Sequence, residues 1–215
     1  MIIGITGGIG SGKSTIAREL EKQGFAVYDC DREAKRIIAE NKAVQSAIIH
    51  LLGEEAFVNG HYNTAYVAQR VFDKKELLEK LNQIVHPAVK EDILQRSGLT
   101  VNEANGLTAK RSNSAAVWPA KPVLYIESAI LCEAGLDELC EKIIVVEAPE
   151  AIRIERVIAR DYHGNASPAN INKVRARVRA QENAYAAIPQ NKRLTIINDG
   201  QTSIDELVQS LLTNS

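Results

Sequence analysis

Residues 7–14 read Gly-Gly-Ile-Gly-Ser-Gly-Lys-Ser, and they limit the possible folds more than any other stretch of the chain. The string satisfies G-x-x-x-x-G-K-[ST] at every fixed position. An apolar run at residues 1–6 (MIIGIT) precedes it and reads as a buried strand. Residues 13–23 (KSTIARELEKQ) follow as a helix with Ile16 and Leu20 on one face, and Gly24 supplies its C-terminal cap. Strand, glycine loop and helix in immediate succession form a phosphate-binding arrangement. Glycines let consecutive N–H groups turn inward onto phosphate oxygens, and the helix presents its positive end to the same anion. In such a loop Lys13 reaches the β- and γ-phosphates of a nucleotide, and the Ser14 hydroxyl ligates Mg²⁺.

The rest of the chain alternates strands and helices. Residues 25–29, 122–127, 142–147 and 194–198 read as strands, the middle two as nearly continuous apolar runs of the kind buried on both faces. Helices are expected at 31–40, 43–52 and 64–72, the last capped by the Thr64 hydroxyl. Residues 53–63 read as a loop or ragged hairpin. A helix over 74–85 is expected to break at His86-Pro87 and resume over 88–95. Residues 98–121 are the least patterned, and part of them is expected to be a mobile loop. Pro149 opens a helix to about Arg160, and Ser167-Pro168 starts another. Ser203 and Glu206 form a capping box before an amphipathic C-terminal helix. This order predicts an α/β fold of three layers with a five-stranded parallel sheet. Residues 1–30, 121–150 and 190–215 would be the nucleotide-binding core, 31–96 an inserted helical lobe, and 151–186 a helical lid, all in a single domain.

At 215 residues the chain is long enough for a substantial core, and a net charge of −1 argues against a nucleic-acid or membrane partner. Cys30, Cys132 and Cys140 have no metal-ligand spacing and suggest reduced thiols in the cytoplasm. The N-terminal apolar run has no charged region before it and reads as a strand, not a signal peptide. A monomer is the expectation.

Ligands of an open parallel sheet sit at the carboxyl ends of its strands. Asp29 and Asp31 flank Cys30 at one such end. Either carboxylate can take a proton from an attacking hydroxyl or hold Mg²⁺ through water, or one of them simply caps the next helix. Glu127 ends another strand, where it can hold magnesium-bound water, bind substrate or pair with a lysine. Residues 151–180 carry seven basic residues against Glu155 and Asp161. Arginines neutralise charge on a moving phosphoryl group, so a segment rich in them suits a lid; a solvated charged helix is the plainer reading. Arg160 and Arg177 are the choices for function. His86 on its own reads as a packing or capping histidine.

These strings together resemble the dephospho-coenzyme A kinase family. Its opening T-G-G-I-G-S-G-K-S-T stands unchanged at residues 6–15, its D-x-D at Asp29-Cys30-Asp31, and its R-V/I-F at Arg70-Val71-Phe72. Its H-P stands at His86-Pro87, its R-D at Arg160-Asp161, its R-x-x-x-Q at Arg177 and Gln181, and its N-D-G at Asn198-Asp199-Gly200. The resemblance implies an ATP- and Mg²⁺-dependent kinase that phosphorylates the ribose 3′-hydroxyl of dephospho-coenzyme A, the last step of coenzyme A synthesis. It implies that Gly8, Ile9, Gly10, Ser11, Gly12, Lys13, Ser14 and Thr15 hold ATP. It makes Asp31 the general base, with Lys13, Arg160 and Arg177 as its catalytic companions. Asp29, Asp31, Arg70, His86 and Glu127 would hold the acceptor, and Ser14 would hold Mg²⁺ with Asp31 or Glu127 through water. The family's Asp-x-Pro-Leu-Leu-x-Glu stretch reads Glu-Ser-Ala-Ile-Leu-Cys-Glu at residues 127–133, without the proline. Other expectations are a kinase for a nucleoside, nucleotide or hydroxylated metabolite, and a non-kinase nucleotide switch. The switch would need Asn-Lys-x-Asp, which Asn191-Lys192-Arg193-Leu194 fails at its last position.

Overall fold

The computed structural model describes residues 1–102, 106–109, 123–181 and 184–213. The chain forms two compact units: Met1–Tyr28 with Val117–Ser215, and Asp29–Ala116. It opens with β1 (Ile2–Thr6), α1 (Lys13–Lys22) and β2 (Ala26–Asp29). Helices α2 (Cys30–Glu40) and α3 (Lys42–Leu52) follow, then the short hairpin β3 (Phe57–Val58) and β4 (His61–Tyr62). Next come α4 (Thr64–Val71), α5 (Lys75–Ser97), β5 (Leu99–Asn102) and β6 (Gly106–Ala109). The chain closes with β7 (Leu124–Glu127), β8 (Lys142–Glu147), α6 (Glu150–Asp161), α7 (Pro168–Arg179), β9 (Arg193–Ile197) and α8 (Ile204–Thr213).

Five strands form one sheet in the order β2-β7-β1-β8-β9, with β1 in the middle. β1 runs parallel to β7, with Ile3 opposite Tyr125, and parallel to β8, with Ile5 opposite Ile144; β9 runs parallel to β8. All of β1 and β7 is buried, which explains why they are apolar up to Thr6 and Glu127 at their carboxyl ends. Ile3 and Ile5 point to one face, where Ile16, Ala17 and Leu20 of α1 and Leu207, Val208 and Leu211 of α8 cover them. Gly4 points to the other face. A Cβ there would stand 2.7 Å from Leu131 Cδ2 and 3.0 Å from Cys140 Sγ, so only glycine lets the segment after β7 lie this close.

Local sequence sets several element ends. Gly24, at φ +83°, closes α1: its N–H bonds Glu21 O at 3.0 Å and the Phe25 N–H bonds Leu20 O at 3.0 Å. Ser203 and Glu206 satisfy each other's backbone N–H at the start of α8, at 3.2 and 3.1 Å. Ser167 Oγ accepts from Asn170 N at 3.3 Å and caps α7.

Three expectations change. The cap of α4 is Asn63, whose Oδ1 accepts from Tyr66 N at 3.2 Å. Thr64 already lies inside the first turn, where its hydroxyl cannot take that position. Helix α5 runs unbroken through Pro87. Leu81, Val85, Val89 and Ile93 are buried along it at intervals of four. A mid-helix proline costs about 3 kcal/mol. Burying each of those four side chains contributes about 1.5–3 kcal/mol, so the shared face overrides the break. Finally, residues 98–121 include a regular piece: β5 and β6 pair antiparallel, Leu99 with Ala109 and Asn102 with Gly106. The expected mobile loop otherwise falls at 103–105 and 110–121, outside the described residues. Among the described residues no helix is long and apolar enough to cross a membrane.

Candidate active site

The site grows from the carboxyl end of the central strand. After Thr6, the chain turns through the glycine loop and enters α1 at Gly12, which is left-handed at φ +95°. No side chain caps α1, so its leading N–H groups point out of the helix toward any anion in the loop. Gly10 has φ +78°, and a Cβ there would meet the Arg153 carbonyl oxygen at 2.5 Å.

Beside the loop, Lys13 and Ser14 converge on one carboxylate. Ser14 Oγ donates to Glu127 Oε1 at 3.3 Å, and Lys13 Nζ lies 3.8 Å from the same oxygen. Glu127 is buried at the end of β7, the strand next to β1. Adjacency of these two parallel strands is what brings residues 14 and 127 together. A hydroxyl and a carboxylate are the hard oxygen donors that Mg²⁺ prefers, so this pair fits that ion.

Distant residues hold the loop. The Ile9 N–H donates to Gln181 Oε1 at 2.7 Å, and the Ile9 carbonyl accepts from Arg153 Nε at 2.9 Å. The Ile9 side chain joins the apolar cluster of α6 and α7, built on Val157, Ile158, Val174 and Val178. Arg156 Nη1 donates to the carbonyls of Gly10, Ser11 and Asn198 at 3.4, 3.3 and 3.2 Å. Its Nη2 donates to Asn198 Oδ1 at 3.0 Å, and Asn198 Nδ2 donates to Ser11 O at 3.0 Å. A cavity of about 200 Å³ adjoins the loop, lined by Ser11, Val146, Glu147, Ala148, Arg153 and Tyr185.

Arg153, Arg156 and Arg160 share one face of α6, but they divide its work. The first two turn onto the loop. Arg160, a turn further on, pairs with Asp161 (Nε to Oδ1, 2.7 Å), and Arg177 Nη1 meets the other oxygen of Asp161 at 3.0 Å. The hydrogen bond from Arg160, with help from Arg177, lowers the Asp161 carboxyl from 3.8 to about 2. The two arginines chosen from the sequence thus share one carboxylate that ties α6 to α7. Gln181 and Asn198 stood in the R-x-x-x-Q and N-D-G strings. Nothing in the spacing of the arginines distinguished Arg153 and Arg156 from their neighbours.

The second unit carries the remaining candidates. Asp29 Oδ1 caps α2 by accepting from Arg32 N at 3.0 Å. Asp31, 81 % exposed, pairs with Lys35 one turn along, which raises the lysine's pKa. Arg70 stands 6.0 Å from the centre of the Tyr66 ring. His86 lies inside α5. Below these, Glu33 is buried among Arg36 and Arg96, each at 2.7 Å. Burial opposes its charge, but the hydrogen bond from Arg36 and the charges of both arginines prevail and lower its pKa.

A parallel sheet with this strand order, whose central strand feeds a glycine loop with lysine and serine on a strand-end carboxylate, defines a P-loop kinase. Comparison with known proteins narrows the class. The model of the family described as Dephospho-CoA kinase matches residues 1–203, and the chain belongs to that family. A protein named dephospho-CoA kinase from Porphyromonas gingivalis is 34 % identical over 199 residues, covering 91 % of this chain and 85 % of its own. The crystal structure of TT1252 from Thermus thermophilus matches with a TM-score of 0.72 at 30 % identity, over 100 % of this chain and 96 % of its own. The dephospho-CoA kinase from Campylobacter jejuni, at 20 % identity, shares the fold with a TM-score of 0.62 over 99 % of this chain and 96 % of its own.

Proposed function

We propose that this chain transfers the γ-phosphoryl group of ATP to the ribose 3′-hydroxyl of dephospho-coenzyme A, giving coenzyme A and ADP. Membership of the family supports the reaction, and the convergence of Lys13 and Ser14 on Glu127 is the observation that carries the ATP half. Residues 8–15 cradle the phosphates, and Lys13 offsets charge that develops on the transferring group. Ser14, with Glu127 or Asp31 through water, would hold Mg²⁺, which would supply charge neutralisation at the β- and γ-phosphates. Asp31, whose carboxylate is exposed beside Lys35, accepts the hydroxyl proton as the oxygen attacks. Arg160 and Arg177, held together by Asp161, close over the phosphates from the lid formed by residues 151–186. Asp29 contacts the acceptor from the end of β2, and Arg70 and His86 contact it from the helical lobe at 31–96. We read the enzyme as a cytoplasmic monomer; the reduced thiols of Cys30, Cys132 and Cys140 suit that compartment.

The test is an acceptor panel with purified protein, ATP and Mg²⁺. Dephospho-coenzyme A should gain one phosphoryl group at the 3′-position, read by mass and by phosphorus NMR. An inert dephospho-coenzyme A beside a consumed nucleoside would overturn the reading.

A further inference from the structure

We infer that Arg153 is a positioning residue for the phosphate loop, and that Gly8 must be glycine because of Arg153. Gly10 and Gly12 are explained by their positive φ, at +78° and +95°. Gly8 is not among the residues with positive φ, so its backbone would accept a side chain. Its neighbours are what forbid one. A Cβ at residue 8 would stand 2.1 Å from Arg153 Nη2, 2.8 Å from Arg153 Cζ and 3.0 Å from Tyr185 Oη.

A guanidinium at the end of a long side chain would ordinarily swing away from such a methyl group. Arg153 is not free to do so. It is 8 % exposed, and its Nε is bonded to the Ile9 carbonyl at 2.9 Å. Its own carbonyl oxygen lies against Gly10, 2.5 Å from where a Cβ would be. One residue therefore touches three consecutive positions of the loop: side chain on Gly8, hydrogen bond on Ile9, backbone on Gly10. Nη2 has no hydrogen-bond partner among the described residues, nor does Ser11 Oγ, and both residues line the 200 Å³ cavity. The guanidinium thus fills the space beside Gly8 while its Nε holds Ile9, and lysine, which lacks the planar fork, cannot do both. It also leaves a positive charge in a sheltered place beside an anion-binding loop, where screening by water is weak.

The inference rests on the reading of the loop as an ATP site, and its test is a double-mutant cycle read without the acceptor. ATP binding is measured by calorimetry for wild type, Gly8→Ala, Arg153→Ala and the double variant, with unfolding midpoints recorded alongside. Gly8→Ala should weaken ATP binding about tenfold, because it overpacks a tight site. Arg153→Ala should weaken it by a similar factor, about tenfold, through the lost bond to Ile9. Once Arg153 is gone, Gly8→Ala should cost no more than about twofold further, a clear departure from additivity. Arg153→Lys should behave like Arg153→Ala. In turnover assays KM for ATP should rise while KM for dephospho-coenzyme A stays within about twofold, which a general loss of structure would not produce. Should Arg153→Ala fail to fold, Arg153→Met keeps the apolar stem, removes Nη2 and carries the same cycle. The inference is overturned if Gly8→Ala is as damaging without Arg153 as with it, or if Arg153→Ala binds ATP like wild type. A wild type that binds ATP but leaves dephospho-coenzyme A unmodified would refute the acceptor, not this coupling.

Discussion

Asn198 offers the sharpest test of how the loop is held. It is 2 % exposed, and its side chain makes two bonds of 3.0 Å, donating to Ser11 O and accepting from Arg156 Nη2. Asn198→Ala removes both. A neutral hydrogen bond contributes about 1 kcal/mol and one to a charged group about 1.5–3 kcal/mol, so the gross loss is about 2.5–4 kcal/mol. Two features reduce it. Ser11 O keeps a second, longer bond from Arg156 Nη1 at 3.3 Å, and the partly buried guanidinium can recruit water. The net expectation is about 2 kcal/mol of stability, or about 4–8 °C in Tm for a chain of this size. The same change frees the second half of the loop, so KM for ATP should rise about fivefold or more while KM for dephospho-coenzyme A holds. Thermal unfolding and initial-rate kinetics read both. An unchanged Tm together with an unchanged KM for ATP would refute the claim that the turn after β9 braces the loop.

Other expectations follow from particular contacts. Asp31→Asn should lower kcat by about 10²-fold or more, as loss of a general base does, while ATP binding measured by calorimetry stays close to wild type; a wild-type rate would remove Asp31 from the chemistry. Asp161 has its folded pKa lowered to about 2 from 3.8, so its bonds to Arg160 and Arg177 stabilise above the higher value and fade as pH falls toward the lower. Those arginines are 62 % and 50 % exposed, so water screens the pair and the contribution is about 1 kcal/mol. Asp161→Asn should abolish that part of the acid dependence between pH 4 and 2 in chemical denaturation. Pro87→Ala should stabilise the protein by about 1 kcal/mol, since it restores a helical N–H inside α5; a destabilised variant would mean that the proline is needed where it stands.

Much of the fold was legible because the signals are local. The ladder-buried strands 1–6 and 142–147, the Gly24 cap and the box of Ser203 and Glu206 each depend on a few neighbouring residues. Of two local rules that misled, one lost to packing and the other was placed one residue too late. Pro87 should have ended a helix, yet the buried face at Leu81, Val85, Val89 and Ile93 carries α5 through it. The Thr64 hydroxyl looked like a cap, but Asn63 stands one residue earlier, where the geometry of a cap requires its oxygen.

The sequence by itself determined the chemistry of the loop. Glycines at 10 and 12, Lys13 and Ser14 are demanded by backbone conformation and phosphate charge, and eight consecutive residues suffice to express both. Only tertiary structure decided which residues hold that loop. The bonds from Ile9 to Gln181 and from Ser11 to Asn198 span 172 and 187 positions of the chain. Arg153 and Arg156 differ from Arg160 only in where α6 sets them against the end of β1. Spacing on a helix reveals a shared face, but it does not reveal what that face meets, and for three arginines in a row that was the whole difference.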